Sequence, residues 1–396
     1  MKKCKLILIG NSQVSTGMDG CTRIFIECAK RWIGSKVAID IITNKIGYEI
    51  YYPHLREVNY HILPPIKKYN LLITYFLRTI IGCRIARKLR LEKNVVVYSG
   101  SDFWPDSLPA FLLKLRYKDK ILWIAGFYLF APKPWQKNSP YRKSFKSWLI
   151  GVMYWLTQLP VYWIIKKYAD YVFVTSVPDV KKFVTKKRNK NKVIVIRGGV
   201  NVKEVREYLE NSKVVPIEKR KYDAVFVGRF HYQKGVVELI EIWKLVCAKK
   251  SNAKLAMIGI GPLESKVKER IKKLKLENNI DLLGFKDGKD KYEIFKQSKI
   301  VVHPATYDSG GMAACEAMAW GLPGVSFDLE SLRTYYPKGM LKTPCYDLKK
   351  FAENILLLLE DKKLYDKVSK EARDWAEEWD WDKRAEEIFN SIFGKR

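Results

Sequence analysis

Short runs of apolar, often β-branched residues recur along the chain, with helical patterns between them. This alternation is typical of βαβ units and parallel sheets. The predicted strands of the first half are residues 5–9, 37–42, 95–98, 121–124, 171–175 and 193–196. After a polar stretch at 201–221, the predicted strands are residues 224–227, 255–258, 280–283, 300–303 and 324–327. We therefore predict two doubly wound domains in tandem, with the ligand site in the cleft between them.

Two segments of the first half differ from ordinary crossover helices. Residues 71–90 have an apolar front and carry four arginines and a lysine. Residues 143–167 hold apolar and aromatic residues between basic ends, with a polar break at Thr157, Gln158 and Pro160. The break argues against a helix that spans a bilayer, and aromatic rings between lysines are typical of helices in the membrane interface. We predict a helix pair lying on a membrane; burial between domains or in a dimer is the alternative.

The charge of the chain is unevenly distributed. The 396 residues, enough for two domains, carry a formal charge of +31. Residues 1–200 contribute +25 and residues 201–396 only +6. Because the excess accompanies the aromatic segments, it favours an anionic membrane surface over nucleic acid as the partner. A basic surface that is merely solvated is the remaining alternative.

The cysteines indicate a compartment. Seven are scattered without a Cys-x-x-Cys pair, and only four histidines are present. This usage is typical of the reduced cytosol and predicts no structural metal. Together with the charge, it leads us to expect a cytoplasmic protein attached peripherally to the inner face of the membrane.

A first candidate site follows the first predicted strand of the second half. Its sequence, VGRFHYQKG, covers residues 227–235. Gly228 lets the backbone come close to a ligand, and Arg229 and Lys234 stand just before a helix predicted over residues 236–249. Two cations and a helix N-terminus that face one anion form a diphosphate site. The alternative is a pair of surface residues that cap a turn.

A second candidate site, DSGGMAACEAMAWGLP at residues 308–323, follows the strand that ends at His303. Small residues open a helix at Gly310, so that free backbone NH groups can meet an anionic or hydroxyl-rich ligand. Glu316 lies about two turns further on. A carboxylate on such an alanine-rich helix needs hydrogen bonds, and a ribose diol supplies two. The alternative is a salt-bridged glutamate near a glycine turn.

These motifs belong to an ordered set that also includes VIRGGVN at 195–201, IGIGPLE at 258–264 and LLGFKD at 282–287. The set resembles the C-terminal half of the family 4 retaining glycosyltransferases, and residues 379–393 resemble the family's last helices, which return to the first domain. The implied fold class is α/β, GT-B, with two Rossmann-like doubly wound parallel-sheet domains facing a cleft. The implied domains are residues 1–200, joined by a helix at about 380–396, and residues 201–379.

The resemblance also implies roles for the matching residues. Arg229 and Lys234 would hold the donor diphosphate and stabilise the leaving group in place of a metal, and Glu316 would bind the nucleotide ribose. Gly284 and Phe285 would lie beside the base, and the glycine loop around Gly17 would approach the phosphates. The full donor-binding set expected from the resemblance is Gly17, Gly228, Gly259, Gly261, Gly284, Phe285, Ser309, Gly310, Gly311 and Glu316.

The chain departs from the family pattern at two places. The family usually has a glutamate eight residues before the ribose carboxylate, and here that residue is Asp308. The family also places a histidine after a mid-sheet strand of the first domain, where this chain reads WIAGF at residues 123–127. Asp102, which follows another strand, is the candidate substitute; a helix N-cap or turn carboxylate is the alternative. The predicted catalytic residues are thus Arg229, Lys234, Asp308 and Asp102.

The expected function is a retaining, metal-independent transfer of a sugar from a nucleotide diphosphate donor, with no cofactor. The basic, aromatic first domain suggests a lipid-linked saccharide or a phospholipid headgroup as acceptor. Within enzymes, the alternative is a nucleotide-sugar epimerase or sugar-phosphate synthase with a soluble substrate. A nucleic-acid-binding protein is a more distant alternative, because no strand motif interleaves aromatic and basic residues.

Overall fold

The computed structural model describes residues 4–14, 17–33, 37–67, 69–136, 139–210 and 214–394. The chain divides into two compact units. Unit 1 comprises Met1–Lys133, Leu149–Gly198 and Trp381–Arg396. Unit 2 comprises Pro134–Trp148 and Gly199–Asp380. One segment differs from the domains expected from the sequence, since residues 134–148 cluster with unit 2.

Unit 1 contains a seven-stranded parallel sheet. Its strands are β1 (Cys4–Gly10), β2 (Val37–Thr43), β3 (Asn59–Ile62), β4 (Val95–Ser99), β5 (Ile121–Gly126), β6 (Tyr171–Val174) and β7 (Val193–Val195). They pair in the order β3-β2-β1-β4-β5-β6-β7. The order reverses between β1 and β4, and ligands of such sheets bind beyond the carboxyl ends of the strands at the reversal.

Unit 2 contains a six-stranded parallel sheet. Its strands are β8 (Tyr222–Val227), β9 (Leu255–Ile258), β10 (Ile280–Leu282), β11 (Ser298–His303), β12 (Gly324–Phe327) and β13 (Met340–Thr343). They pair in the order β10-β9-β8-β11-β12-β13. The reversal here lies between β8 and β11, the two strands that precede the candidate motifs.

The helices connect the strands of each sheet. Those of unit 1 are α1 (Gly20–Ile33), α2 (Lys45–Tyr51), α3 (Leu71–Lys88), α4 (Trp104–Tyr117), α5 (Phe145–Tyr168), whose first turn is in unit 2, and α6 (Val177–Phe183). Those of unit 2 are α7 (Val202–Leu209), α8 (Val236–Cys247), α9 (Glu264–Lys273), α10 (Gly288–Lys296), α11 (Met312–Ala319), α12 (Glu330–Tyr335), α13 (Leu348–Glu360) and α14 (Lys362–Glu377). The last helix, α15 (Trp381–Phe393), is again part of unit 1.

The sheet of unit 2 has a hydrophobic core on each face. Successive side chains of β8 alternate between them: Ala224 and Phe226 join one core, and Val225 joins the other. The first core includes Trp243 of α8, and the second includes Met318 of α11. Strands buried on both faces carry continuous apolar runs, which explains why the sequence pattern marked them so clearly.

The structure confirms the predicted fold class of two doubly wound parallel sheets, and each predicted strand is present. The two strands missing from the sequence prediction, β3 and β13, are edge strands. In β3 three of the four residues are exposed, and β13 carries a lysine in its centre. A strand with one solvated edge and little burial has no continuous apolar run, so the pattern did not reveal it.

Helix α15 packs against α1 within unit 1. The indole Nε1 of Trp32 donates a hydrogen bond to the carbonyl of Ala385 at 2.9 Å. The Trp32 ring also contacts the rings of Phe389 and Phe393, with centroids 6.5 and 6.4 Å apart. The last helix is therefore anchored to unit 1 by a buried aromatic cluster.

The segment that we expected to form a helix pair is one continuous helix. Helix α5 runs from Phe145 to Tyr168 and contains Pro160. By length and composition alone it is the one helix among the described residues that could cross a membrane. The polar residues Thr157 and Gln158 do not interrupt the helix.

Candidate functional site

The glycine motifs of unit 2 bring three loops together at the carboxyl end of the sheet. Gly259 has φ +144°, and a Cβ there would lie 1.9 Å from the carbonyl oxygen of Gly228. A Cβ on Gly261 would lie 2.5 Å from the carbonyl oxygen of Phe230. The amide of Gly259 donates to the carbonyl of Gly284 at 2.8 Å. Gly259 and Gly261 are therefore required for backbone packing next to the site.

Lys234 and Asp308, which lie 74 positions apart in the sequence, meet as an ion pair. Lys234 Nζ lies 2.5 Å from Asp308 Oδ2. His303 Nε2 is 3.3 Å from the same oxygen, although without the geometry of a hydrogen bond. Burial by itself raises the pKa of Asp308, but Lys234 and His303 outweigh it and lower that pKa to about 2. Asp308 is thus a carboxylate held ionised beside a cation.

The backbone after Asp308 is folded around its side chain. Asp308 Oδ1 accepts hydrogen bonds from the amides of Ser309 at 3.0 Å and Gly310 at 3.3 Å. A Cβ on Gly310 would lie 2.6 Å from the Tyr335 ring, and one on Gly311 would lie 2.9 Å from His303 Nε2. Helix α11 begins at Met312, two residues later than predicted, with Gly311 as its N-cap. These small residues allow the helix start to lie close to Asp308.

Arg229 lies exposed in the loop between β8 and α8, which also carries Lys234. Its charge acts on two aromatic side chains, His231 and Tyr141. Burial, Arg229 and Lys234 lower the pKa of His231 to about 4, so His231 is neutral at physiological pH. Burial raises the pKa of Tyr141 to about 12, against the opposing effect of Arg229. The Tyr141 ring is 6.4 Å from that of His231. Tyr141, in the segment that clusters with unit 2, was not foreseen from the sequence.

Glu316 is paired with a buried lysine that the sequence analysis missed. Lys291 Nζ on α10 lies 2.7 Å from Glu316 Oε2 and 3.1 Å from Asp287 Oδ1. The side chains of Lys291 and Glu316 are only 6% and 11% exposed. The available signal was helical spacing, because Lys291 lies four residues before the buried Phe295 and so shares its face. The pair holds the Glu316 carboxylate at one position of helix α11.

The residues expected beside the nucleotide base lie at an open surface. Gly284 has φ +68°, and no atom lies within 4 Å of where its Cβ would be. The side chain of Phe285 is 53% exposed. Gly284 is therefore required for its backbone conformation rather than for space. The ring of Phe285 is free to stack on a planar group.

Unit 1 has a cavity of about 170 Å³ at the carboxyl ends of β1 and β4. Asp106 lies at its base and accepts hydrogen bonds from the amides of Asn11 at 2.6 Å and Ser12 at 2.9 Å. Burial outweighs these bonds and raises the pKa of Asp106 to about 7. Asp106 therefore fixes the start of the loop that leads to Gly17. Ser15 and Thr16 of that loop lie outside the described residues.

Asp102 lines the same cavity. Its Oδ2 accepts a hydrogen bond from Gln158 Nε2 at 2.9 Å. Burial raises the pKa of Asp102 to about 6, and the bond from Gln158 opposes that rise. The cavity is also lined by Asp19, Tyr51, Tyr98, Tyr128 and Tyr154, and no lysine or arginine is among its described lining residues. Among the described residues, no group of three or more His, Cys, Asp and Glu could hold a metal ion.

The second part of the chain matches a known protein family. The model of the family described as "Glycosyl transferases group 1" matches residues 207–375. An uncharacterized glycosyltransferase of Methanocaldococcus jannaschii is 32% identical over 206 residues, which cover 50% of this chain and 48% of that protein. The chain thus spans about half the length of this curated relative.

Solved structures resemble the whole chain. Sucrose-phosphate synthase of Thermosynechococcus elongatus has a TM-score of 0.70 and 18% identity, and covers 99% of this chain and 100% of its own. HepE of Anabaena in complex with UDP-glucose has a TM-score of 0.68 and 14% identity, and the likeness covers 98% of this chain and 99% of HepE. At such identities the likeness concerns the fold. Residues 207–375 therefore resemble the group 1 glycosyl transferases, and the fold of the chain is GT-B, with two Rossmann-like parallel-sheet domains.

Proposed function

We propose that this protein is a retaining, metal-independent glycosyltransferase that moves a sugar from a nucleotide diphosphate to a hydroxyl of a lipid-linked acceptor. The observation that carries the proposal is the Lys234–Asp308 pair beside the start of α11, in a unit that also fixes Glu316 with Lys291. Cations, a helix start and a buried carboxylate on one sheet edge match a nucleotide diphosphate sugar.

The donor is held by charge on unit 2. Arg229 forks the diphosphate oxygens and Lys234 supplies a compact charge, so that negative charge on the leaving diphosphate is stabilised as it develops. Asp308 keeps Lys234 in place and faces the donor sugar. Glu316, oriented by Lys291, accepts hydrogen bonds from the two ribose hydroxyls.

The acceptor binds in the cavity of unit 1. Tyrosines and carboxylates without a lining cation suit a hydroxyl-bearing sugar end better than a phosphate. At about 170 Å³ the cavity is smaller than the usual ligand pocket of about 300–1,000 Å³, so it takes one sugar-sized group. In the transfer, the acceptor oxygen bonds to the anomeric carbon, the bond from that carbon to the diphosphate breaks, and the hydroxyl proton passes to Asp102.

The lipid part of the acceptor is inferred from two apolar helices of unit 1. Helix α3 exposes Phe76 (55%), and the part of α5 in unit 1 exposes Ile150 (52%) and Trp163 (61%). Both helices reach Phe103, whose ring lies 5.4 Å from that of Tyr75 and 6.4 Å from that of Tyr154. Because Phe103 also lines the cavity, a lipid headgroup held between α3 and α5 would have its sugar end in the cavity. Attachment to the inner face of an anionic membrane follows from the excess of basic residues.

A soluble-substrate enzyme on the same fold makes a different prediction. For an epimerase or a sugar-phosphate synthase, the aromatic segments would be buried. The exposed rings of α3 and α5 favour the membrane enzyme instead. The likeness to sucrose-phosphate synthase is compatible with either, since it concerns the fold.

The donor half is tested by substrate screening followed by two substitutions. Nucleotide sugars are screened by thermal shift, and those that bind are assayed for transfer to a membrane extract with and without EDTA. At saturating donor, Arg229→Ala and Lys234→Ala should each lose about 2–4 kcal/mol of transition-state stabilisation, about 30- to 1,000-fold in rate. Lys254→Ala, outside the site, is the control. Unchanged turnover in either site variant refutes the assignment, and loss of activity with EDTA refutes metal independence.

The membrane half is tested by sedimentation with liposomes. The protein should sediment with vesicles rich in phosphatidylserine and less so at high salt. Replacing the exposed rings Phe145, Trp148 and Trp163 with serine should weaken binding, whereas serine at the exposed Trp135 should not. Binding that is indifferent to both salt and the α5 substitutions overturns the membrane proposal.

A further inference from the structure

Gln158 is a buried polar residue on a helix whose other residues are largely apolar. Gln158 is 7% exposed, whereas Leu156 and Trp163 on the same helix are 49% and 61% exposed. A buried side-chain amide is costly unless its donors and acceptor are paired. The contacts of Gln158 therefore have to account for its position in α5.

Gln158 makes three side-chain hydrogen bonds, and two of the partners, Asp102 and Leu129, line the cavity. Its Nε2 donates to Asp102 Oδ2 at 2.9 Å and to the carbonyl of Leu129 at 2.8 Å. Its Oε1 accepts from the amide of Ala131 at 2.8 Å. The backbone contacts fix which way the amide points, because Leu129 offers an acceptor and Ala131 offers a donor. One NH of Gln158 is thereby aimed at Asp102.

The surroundings of Asp102 give that NH a particular importance. The described lining of the cavity contains Asp19 and Asp106 but no lysine or arginine. Arg78, whose charge interacts with Asp106, donates instead to the carbonyls of Asn11 and Gln13 in the loop. Among the described residues, a side-chain hydrogen bond reaches the Asp102 carboxylate from Gln158.

We propose that Gln158 is a positioning residue for the transfer reaction, which holds the Asp102 carboxylate toward the acceptor hydroxyl and keeps it ionised so that it can take the proton. The inference rests on the proposed function. A hydrogen bond to the charged form favours that form. Without it, only the weaker effect of the Asp102 backbone amide would oppose burial, and a smaller share of the protein would be active at neutral pH.

The proposal is tested by the pH profile of transfer in matched variants. Gln158→Leu removes the amide, and Gln158→Glu keeps its volume but replaces the donor with a carboxylate. Thr157→Val on the neighbouring position is the control, because the Thr157 hydroxyl bonds to the carbonyls of Met153 and Tyr154 within the helix. The assay measures kcat and the donor KM from pH 5 to 9, together with nucleotide binding.

Both Gln158 variants should lose about tenfold or more in kcat at pH 7, as expected for a misplaced acid–base group. The acidic limb of their kcat–pH profile should move to higher pH by about one unit, while the donor KM and nucleotide binding stay unchanged. Thr157→Val should behave as the wild type. An unshifted limb, whether kcat is retained or falls equally at every pH, overturns the proposal. Failure of the wild-type protein to turn over any nucleotide sugar is a different result, which overturns the proposed function itself.

Discussion

Replacement of Lys291 by methionine removes the cation beside Glu316 and keeps the length of the side chain. Lys291 Nζ is 2.7 Å from Glu316 Oε2, and the side chains are 6% and 11% exposed. Loss of one partner of a buried ion pair costs about 3–5 kcal/mol, because the other charge stays buried without compensation. Asp287, the second partner of Lys291, is 30% exposed and remains solvated. We therefore expect the lower end of the range, about 3 kcal/mol.

The chain provides a matched control for this substitution. Lys268 and Glu264 form a pair of the same length, 2.7 Å, but their side chains are 60% and 39% exposed. An exposed pair four residues apart on a helix contributes at most about 0.5 kcal/mol. Lys268→Met should therefore change the free energy of unfolding very little. The difference between the two variants isolates the effect of burial.

Both variants are compared with the wild type by urea denaturation followed by tryptophan fluorescence, with the transition of unit 2 analysed by linear extrapolation. The double variant Lys291→Met with Glu316→Gln should regain most of the lost stability, because no charge is then left buried at the pair. If Lys291→Met costs less than about 1 kcal/mol and matches Lys268→Met, the pair is not a buried anchor. The account of how Glu316 is oriented would then be wrong.

Three further predictions concern other parts of the structure. The pKa of Asp308 is lowered to about 2 from an ordinary 3.8, which contributes stability that is fully present above about pH 4 and is lost as the pH falls toward 2. Between pH 7, 4 and 3, the free energy of unfolding should therefore fall less steeply in Asp308→Asn than in the wild type. Gly259→Ala should destabilise unit 2 by more than about 3 kcal/mol, because a Cβ there would clash with the carbonyl of Gly228. Gly284→Ala, which has open space around it, should cost only about 1 kcal/mol for its positive φ. Denaturation of both variants gives the comparison, and equal costs would contradict the packing argument. The buried guanidinium of Arg188 donates to the carbonyls of Ile165 and Ala169 at the end of α5 and of Phe183 at the end of α6. Arg188→Lys should therefore destabilise unit 1 by about 2–4 kcal/mol in thermal unfolding. A Tm equal to that of the wild type would refute this role.

The sheets could be predicted from the sequence because burial on both faces leaves a local trace. Val95–Ser99 is buried at every position, so its apolar run is unbroken. The edge strand Asn59–Ile62 is mostly exposed and leaves no such trace. The candidate motifs likewise follow the strands after which they were predicted, but the reason for each residue is not local. Gly259 is required by the carbonyl of Gly228, 31 positions earlier in the chain.

The residues that were missed depend on contacts between distant parts of the chain. Tyr141 lies beside His231 because residues 134–148 cluster with unit 2, and no property of that segment reveals which unit it joins. Lys291 did leave a signal, since it shares a helical face with Phe295. A lysine is ordinarily taken as a surface residue, and only the facing carboxylate of Glu316 shows why it is buried.

A polar residue within an apolar segment can mark the end of a helix or a polar contact of its buried face, and in α5 it marks such a contact. In a helix packed on a protein core, apolar residues face inward and polar residues face water. In α5 apolar residues lie on both faces, since Val161 and Ile165 are buried in the core while Leu156 and Trp163 are exposed. The polar Gln158 faces the protein and bonds to Asp102, Leu129 and Ala131. On the proposed membrane-bound protein, the exposed rings would lie in the lipid while the amide satisfies the polar groups of the cavity. Gln158, which lies in the polar break of the apolar segment, is therefore the residue that connects the buried face of α5 to the cavity of unit 1.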